Sequence, residues 1–300
     1  MERGIVLYNQ NRTRAARSYL EVAAQAGDSQ AQFYLGEALR KNNRFMTREA
    51  LQWLEASAQQ GNSYAMIRLG RMGESLCSIM ENCPEGSRPN EEWLKVAYEL
   101  NETKSEQGDA EAMYLMFRLT SEVSWLERAA EAGHGLSQHL LADLIKNGLG
   151  TYWWPGSRQQ DVERWYKASA ESGYPPGMLS HALILMNKGD LTGYQHWAEE
   201  VAKTGYVSGV FEFGMLLVDP LHREFQQDLV KGYGVLSLLL ELDGGGYLNK
   251  RFIEKRLPPI AAQMTPEQLD QALEYAEEWK SSHPPLSFFS QKLHPLDTLF

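Results

Sequence analysis

Apolar positions recur at helical spacing along most of this chain, and stretch after stretch of helix-compatible sequence ends in a glycine. Seven glycines mark the ends: Gly27, Gly61, Gly108, Gly133, Gly173, Gly205 and, less regularly, Gly245. A small residue stands three positions before each of the first six (Ala24, Ala58, Ser105, Ala130, Ala170, Ala202), and another stands four positions after (Ala31, Ala65, Ala112, Ser137, Gly177, Gly209). Eight residues before five of the glycines comes an aromatic: Tyr19, Trp53, Trp125, Trp165 and Trp197. A frame that returns with so many positions in register predicts stacked units, each able to bury its apolar face only against its neighbours. That is an α-solenoid.

Between consecutive glycines the periodicity reads as two helices, as over 29–41 and 47–59, so each unit is a helical hairpin. The glycine supplies the left-handed residue that closes a helix. Small residues on either side of it allow two backbones to approach, and the aromatic is expected to fill the wider space farther from the turn. Eight and nine residues after the glycine the first helix carries Leu35-Gly36, Leu69-Gly70, Met116-Phe117, Leu141-Ala142, His181-Ala182 and Phe213-Gly214. A mid-helix glycine costs roughly 1 kcal/mol relative to alanine. Its return at one register predicts a neighbouring helix crossing there.

At these residues the chain resembles the Sel-one-like repeat (SLR) family, a relative of the tetratricopeptide repeats. The resemblance rests on Ala31 to Gly36 with Ala50 to Gly61, on Trp125 to Gly133 and on Trp165 to Gly173, and it covers about residues 14–246. The chain departs from the family in a long insertion before Glu91, a contracted linker between Thr120 and Trp125, and an aromatic-rich loop at Trp153. The resemblance implies an all-α, right-handed solenoid of six to seven hairpins over 1–257. Residues 258–300 should add a capping helix and an apolar tail. Thr265-Pro266-Glu267-Gln268 is a capping box with proline in the first turn, and it predicts a helix from there to about Ser281. Leu269, Ala272, Leu273, Ala276 and Trp279 would form its apolar face. Pro258-Pro259 should end the segment before it, and the tail with Phe288, Phe289 and Leu293 is expected to fold back on the solenoid.

Composition narrows the reading. No run of eighteen apolar residues occurs, so no membrane-spanning segment is expected. A net charge of −10 argues against general nucleic-acid or anionic-membrane binding. Cys77 and Cys83 lie six apart beside Pro84, Gly86 and Pro89. They allow a disulfide-closed loop, with two free thiols as the alternative in a reducing compartment. The disulfide is favoured, and with it an exported, periplasmic location. Residues 1–10 hold too short an apolar core for a signal peptide, so the alternatives are a cytoplasmic protein or one whose leader is absent from this sequence.

Candidate chemistry is sparse. The histidines His134, His139, His181, His196, His222, His283 and His294 form no metal-binding motif, and the sequence contains neither a GxSxG elbow nor a GxxxxGK phosphate loop. No catalytic residue, metal or cofactor is expected. What remains is a surface. Aligning Leu35-Gly36 with the tetratricopeptide pattern places Phe33, Glu37, Arg40, Ile67, Arg71, Glu74, Tyr114, Arg118, His139 and Asp143 on the groove where partners bind in such arrays. Tyr152, Trp153 and Trp154, beside glycines and a proline, form a second candidate contact. The family resemblance extends to short bacterial immunity proteins encoded with type VI secreted phospholipase effectors, including phospholipase D types. It implies a non-enzymatic partner that occludes a toxin's cleft. The alternative is an SLR adaptor or regulator in envelope or signalling assembly.

Overall fold

A computed structural model describes residues 1–72, 88–218, 226–242 and 250–293. Glu74, Cys77, Cys83, His222, Gly245 and His294 lie outside these residues, and so does the expected disulfide. The described residues form two compact units. Unit 1 comprises Met1–Ala132 together with the C-terminal residues from Ser290, and unit 2 comprises Gly133–Phe289.

Unit 1 contains α1 (Glu2–Asn9), α2 (Thr13–Gln25), α3 (Ser29–Asn43), α4 (Arg48–Gln59), α5 (Ser63–Gly70), α6 (Asn90–Glu106), α7 (Ala110–Thr120) and α8 (Val123–Glu131). Unit 2 contains α9 (Gly135–Lys146), α10 (Ser157–Glu171), α11 (Pro175–Asn187), α12 (Leu191–Lys203), α13 (Val207–Val218), α14 (Leu229–Leu238), α15 (Lys250–Ala261) and α16 (Pro266–Ser282). Within each unit consecutive helices pack on one another as far as α14, with lighter contacts that skip one helix (α1–α3, α9–α11 and α11–α13), whereas α16 packs on α14, past α15. This is the nearest-neighbour pattern of an all-α solenoid, with four hairpins in unit 1 and three in unit 2 before α15 and α16 among the described residues.

The turn from one hairpin to the next shows why the frame recurs. Gly27, Gly61, Gly108, Gly133, Gly173 and Gly205 all adopt positive φ. At Gly27 the amide donates to Ala24 O at 3.0 Å, and the next amide, Asp28 N, donates to Ala23 O at 3.1 Å. Gly61 with Asn62, Gly108 with Asp109 and Gly173 with Tyr174 repeat the pair. The residue after the glycine then starts the next helix. Asp28 accepts from Ala31 N, Asn62 from Ala65 N and Asp109 from Ala112 N. Two residues thus end one helix and cap another, which leaves room only for small side chains on both sides. Ala24, Ala58, Ser105, Ala130, Ala170 and Ala202 are all buried.

The crossing expected at the mid-helix glycines is present, and the helix that crosses is the second helix of the same hairpin. A Cβ on Gly36 would stand 2.6 Å from Leu54 Cγ and 3.1 Å from Ala50 O; on Gly70, 2.4 Å from Leu94 Cγ; on Gly214, 2.7 Å from Leu236 Cγ. Gly4 meets Leu20 in the same way, which extends the frame to the α1–α2 hairpin. Gly36→Val is therefore expected to destabilise the protein by about 1–3 kcal/mol through overpacking, despite valine's better helix propensity. Urea unfolding checks this, and an unchanged midpoint would refute the close crossing.

Three local expectations need correction. The aromatics eight residues before the glycines are not core. Trp53, Trp125, Trp165 and Trp197 are half-buried and Tyr19 is exposed, because the hairpin's own small residues already close the gap. Guanidiniums cover several outer ring faces: Arg128 lies 4.2 Å from the Trp125 centroid and Arg164 lies 4.5 Å from that of Trp165. Next, α15 does not stop at Pro258-Pro259 but continues to Ala261, with Ala262 N donating to Pro258 O. The prolines fall in its last turns, so only two donors are lost, and buried Leu257 and Ile260 hold that end in place. Finally, α16 begins at the expected capping box, but Leu273 is 53% exposed. The apolar face is narrowed to Ala272, Ala276 and Trp279, with Ala276 and Trp279 in the core shared with α13, α14 and α15.

Candidate functional site

The first helices of unit 1 carry most of the candidate residues, and burial sorts them. In α3 every residue from Ala31 to Arg40 is buried, because α2, α4 and α1 surround the helix. Phe33 packs edge-on to Tyr34, with centroids 5.4 Å apart, and lies against Tyr64. Ile67 in α5 and Tyr114 in α7 are likewise enclosed. The open groove expected at Phe33, Ile67 and Tyr114 is therefore corrected to core. The Leu-Gly alignment placed these residues on first helices, but it could not show that a helix flanked on three sides has no free face.

Glu37 is fully buried and binds two guanidiniums. Arg40, one turn on, places Nε and Nη2 each 3.1 Å from its two oxygens. Arg68 on α5 donates Nη2 to Oε2 at 3.0 Å and sets Nε 2.9 Å from Oε1. Arg71 and Arg118 follow on the same side of unit 1. Arg71 is half-buried and makes no ion pair among the described residues, and burial first, then the charges of Arg118 and Arg68, hold its pKa below the usual guanidinium value. Arg118 donates to Tyr114 Oη at 3.5 Å. Sequence reasoning missed Arg68 because in the repeat register it aligns with Tyr34, a core position.

The C-terminal residues of unit 1 lie on this helix face. Arg68 Nη2 donates to Lys292 O at 3.1 Å, Lys292 Nζ stands 4.3 Å over the Tyr64 ring and 4.0 Å from Glu111, and Leu293 is 3% exposed. The tail does fold back, as far as it is described. Next to it, a polar cleft of about 380 Å³ is lined in part by Tyr64, Asn101, Lys104, Glu111 and Lys292.

His139 and Asp143 belong to unit 2. His139 Nδ1 lies 3.4 Å from Asp143 Oδ2, its Nε2 pairs with Ser180 Oγ at 3.1 Å, and Tyr166 Oη donates to Asp143. Burial lowers the His139 pKa more than Asp143 raises it. The ring packs between Tyr166 and Tyr174, so His139 is largely enclosed while the Asp143 carboxylate stays partly exposed.

The loop between α9 and α10 is different. Trp153 is 85% exposed and Trp154 79%. Gly148, Gly150 and Gly156 bend the chain at positive φ, and Arg158 ties the bends together. Its Nη1 donates to Ile145 O at 2.6 Å and Leu149 O at 2.8 Å, and its Nη2 donates to Gly150 O at 2.9 Å. The same guanidinium lies 4.6 Å from the Tyr152 ring, and Tyr152 Oη donates to Asp161. Ser157 Oγ donates to Trp154 O at 2.8 Å. The loop backbone is fastened on both sides of two indoles that face solvent.

Among the described residues no group of three or more His, Cys, Asp or Glu side chains is placed to hold a metal ion. No helix among them is long and apolar enough to cross a membrane. No family model matches the chain, and no curated protein matches it. Solved structures do. The chain aligns over 90% of its length with 56% of c5321, a protective antigen of uropathogenic Escherichia coli displaying an SLR fold, at 18% identity and a TM-score of 0.51. This chain has the SLR fold. It spans about half the length of that antigen. A Sel1 repeat protein from Oxalobacter formigenes aligns with 73% of this chain and 91% of its own, at 18% identity and a TM-score of 0.39.

Proposed function

We propose that this protein is a non-catalytic, periplasmic immunity protein that binds a secreted antibacterial phospholipase and occludes its active site. The observation that carries the reading is the Trp153-Trp154 pair, which stands in solvent on a loop braced by Arg158. Exposed adjacent tryptophans are costly in water, and bracing keeps them from folding back onto α9 or α10. Tryptophan is the residue most enriched where binding energy concentrates. An enzyme that accepts acyl chains has an apolar cleft, and two rigid indoles match such a cleft in chemistry and shape. Pre-ordering lowers the entropy lost on docking. The SLR scaffold supports the same reading, since folds of this type are generally interaction modules rather than enzymes.

The experiment captures the partner of the purified protein from the source bacterium grown under secretion-inducing conditions, and then measures phospholipid hydrolysis by the captured enzyme. Inhibition by the added protein is expected. Trp153→Ala with Trp154→Ala should weaken binding about 30-fold, roughly 2 kcal/mol, with no change in melting temperature because neither indole packs in the core. A partner with no hydrolase activity would overturn the reading, as would a double variant that inhibits as well as the parent.

A further inference from the structure

We propose that Ser180, His139 and Asp143 of unit 2 form a reactive-serine site, in which Ser180 takes one acyl group from an activated carboxylic ester and keeps it. The site involves no residue of the tryptophan loop, and the proposal does not depend on the phospholipase reading.

Three helices bring the groups together. His139 and Asp143 stand one turn apart on α9, Ser180 lies on α11, and Tyr166 comes from α10. Asp143 Oδ2 is 3.4 Å from His139 Nδ1, and Ser180 Oγ is 3.1 Å from His139 Nε2. Tyr166 Oη donates to the other carboxylate oxygen, Asp143 Oδ1. An ionised carboxylate can only accept, so it draws the ring proton to Nδ1 and leaves Nε2 to accept from the Ser180 hydroxyl. These are the relative places of a nucleophile, its base and the acid that orients the base, an arrangement defined by geometry and not by order in the chain. At 3.4 Å the carboxylate contact is loose, as such contacts are before a substrate is bound.

The surroundings suit a base. The groups facing the ring are Asp143 on its own helix, Tyr166 from α10, and Tyr174 and Ser180 from the α11 side. Burial lowers the His139 pKa, which favours the uncharged ring that a base has to offer. Ser180 itself is half-buried, so a small ester reaches its hydroxyl. In the reaction Oγ bonds to the acyl carbon while His139 Nε2 takes the hydroxyl proton. The bond from that carbon to the leaving group then breaks, and the leaving group carries the proton away. Ser180 is the sixth residue of α11, where backbone amides are already bonded within the helix, so none is free to hold an oxyanion. Acylation is therefore confined to esters with a good leaving group. The product, an ordinary alkyl ester of serine, has a poor one and persists, which makes Ser180 an acyl acceptor without turnover.

The test incubates the whole protein with p-nitrophenyl acetate and locates the acetyl group by peptide mass spectrometry. Acetyl-Ser180 is expected, forming at least tenfold more slowly in His139→Gln. Asp143→Asn, which keeps the side chain's size but removes the charge that holds the ring tautomer, should slow it at least tenfold as well. In the unmodified protein the rate should fall as the pH drops through the range in which the ring takes up a proton, and level off above it. A serine reacting without a base would instead climb about tenfold per pH unit, so this reading needs no variant to fold. Acetyl groups on lysines but not on Ser180 would overturn the proposal. So would a Ser180 rate that His139→Gln leaves unchanged, or one that climbs steadily with pH.

Discussion

Glu37→Ala is expected to destabilise the protein by about 3–5 kcal/mol and to lower the unfolding temperature of unit 1 by on the order of 10 °C. Glu37 is fully buried and is the shared carboxylate of Arg40 and Arg68. Removing it takes away the buried carboxylate that both guanidiniums share in a water-poor setting, and their mutual repulsion adds to the cost. Breaking one side of a buried pair is far more damaging than the net worth of the pair, because the surviving charges cannot regain water. Arg17 provides the control. It pairs with Glu21 and Glu49 at 2.8 Å each, but in solvent, and Arg17→Ala should shift stability by less than about 1 kcal/mol. Thermal unfolding followed by circular dichroism compares the two, and equal effects would show that burial does not decide the energy here. Because α3 and α5 are joined through this carboxylate, the loss should also appear as faster hydrogen exchange in both helices.

Gly205→Ala should cost about 3 kcal/mol, whereas Gly61→Ala should cost only about 1–2 kcal/mol. The two glycines hold the same place in the repeat and nearly the same backbone, with φ of +75° and +88°. Any other L residue is strained in that conformation by about 1–2 kcal/mol. At Gly61 a Cβ would meet nothing within 4 Å, so strain is the whole effect. At Gly205 it would lie 2.7 Å from both Pro284 O and Pro285 O, and overpacking adds about 1–3 kcal/mol. The segment after α16 is fastened at this turn, with Ser287 N donating to Gly205 O at 2.9 Å and Val207 N to Ser287 O at 3.0 Å. Displacing it should also loosen Leu286 and Phe288 from the core of unit 2. Urea unfolding measures the two costs. Protection of the Val207 and Ser287 amides against exchange then separates a displaced segment from simple backbone strain.

How much of the site was legible follows from what kind of contact each residue makes. Trp153 and Trp154 stood out because three aromatics among glycines and a proline exceed what a turn needs, although nothing in their spacing said that Arg158 would brace the loop. Arg40 and Glu37 were found from their register on α3, but as groove residues; their burial depends on α1, α2 and α4 together. Arg68 and Lys292, separated by 224 positions, could not be paired by any local pattern. The exposure of Leu273 and the continuation of α15 through Pro258-Pro259 were likewise decided by which neighbours happen to be present.

The sequence by itself determined the repeat, the hairpin, its two-residue turn and the close crossing at Gly36, Gly70 and Gly214. Those features depend on interactions between residues close in the chain, and in a solenoid the same local answer is written several times over. The tertiary structure alone decided which face of α3 is enclosed, that Glu37 is a buried junction between Arg40 and Arg68, and that Lys292 returns to Arg68 of unit 1. The reason is physical. Helix formation and hairpin closure are set by side chains a few turns apart, whereas burial and charge pairing depend on segments that meet only after the hairpins have stacked.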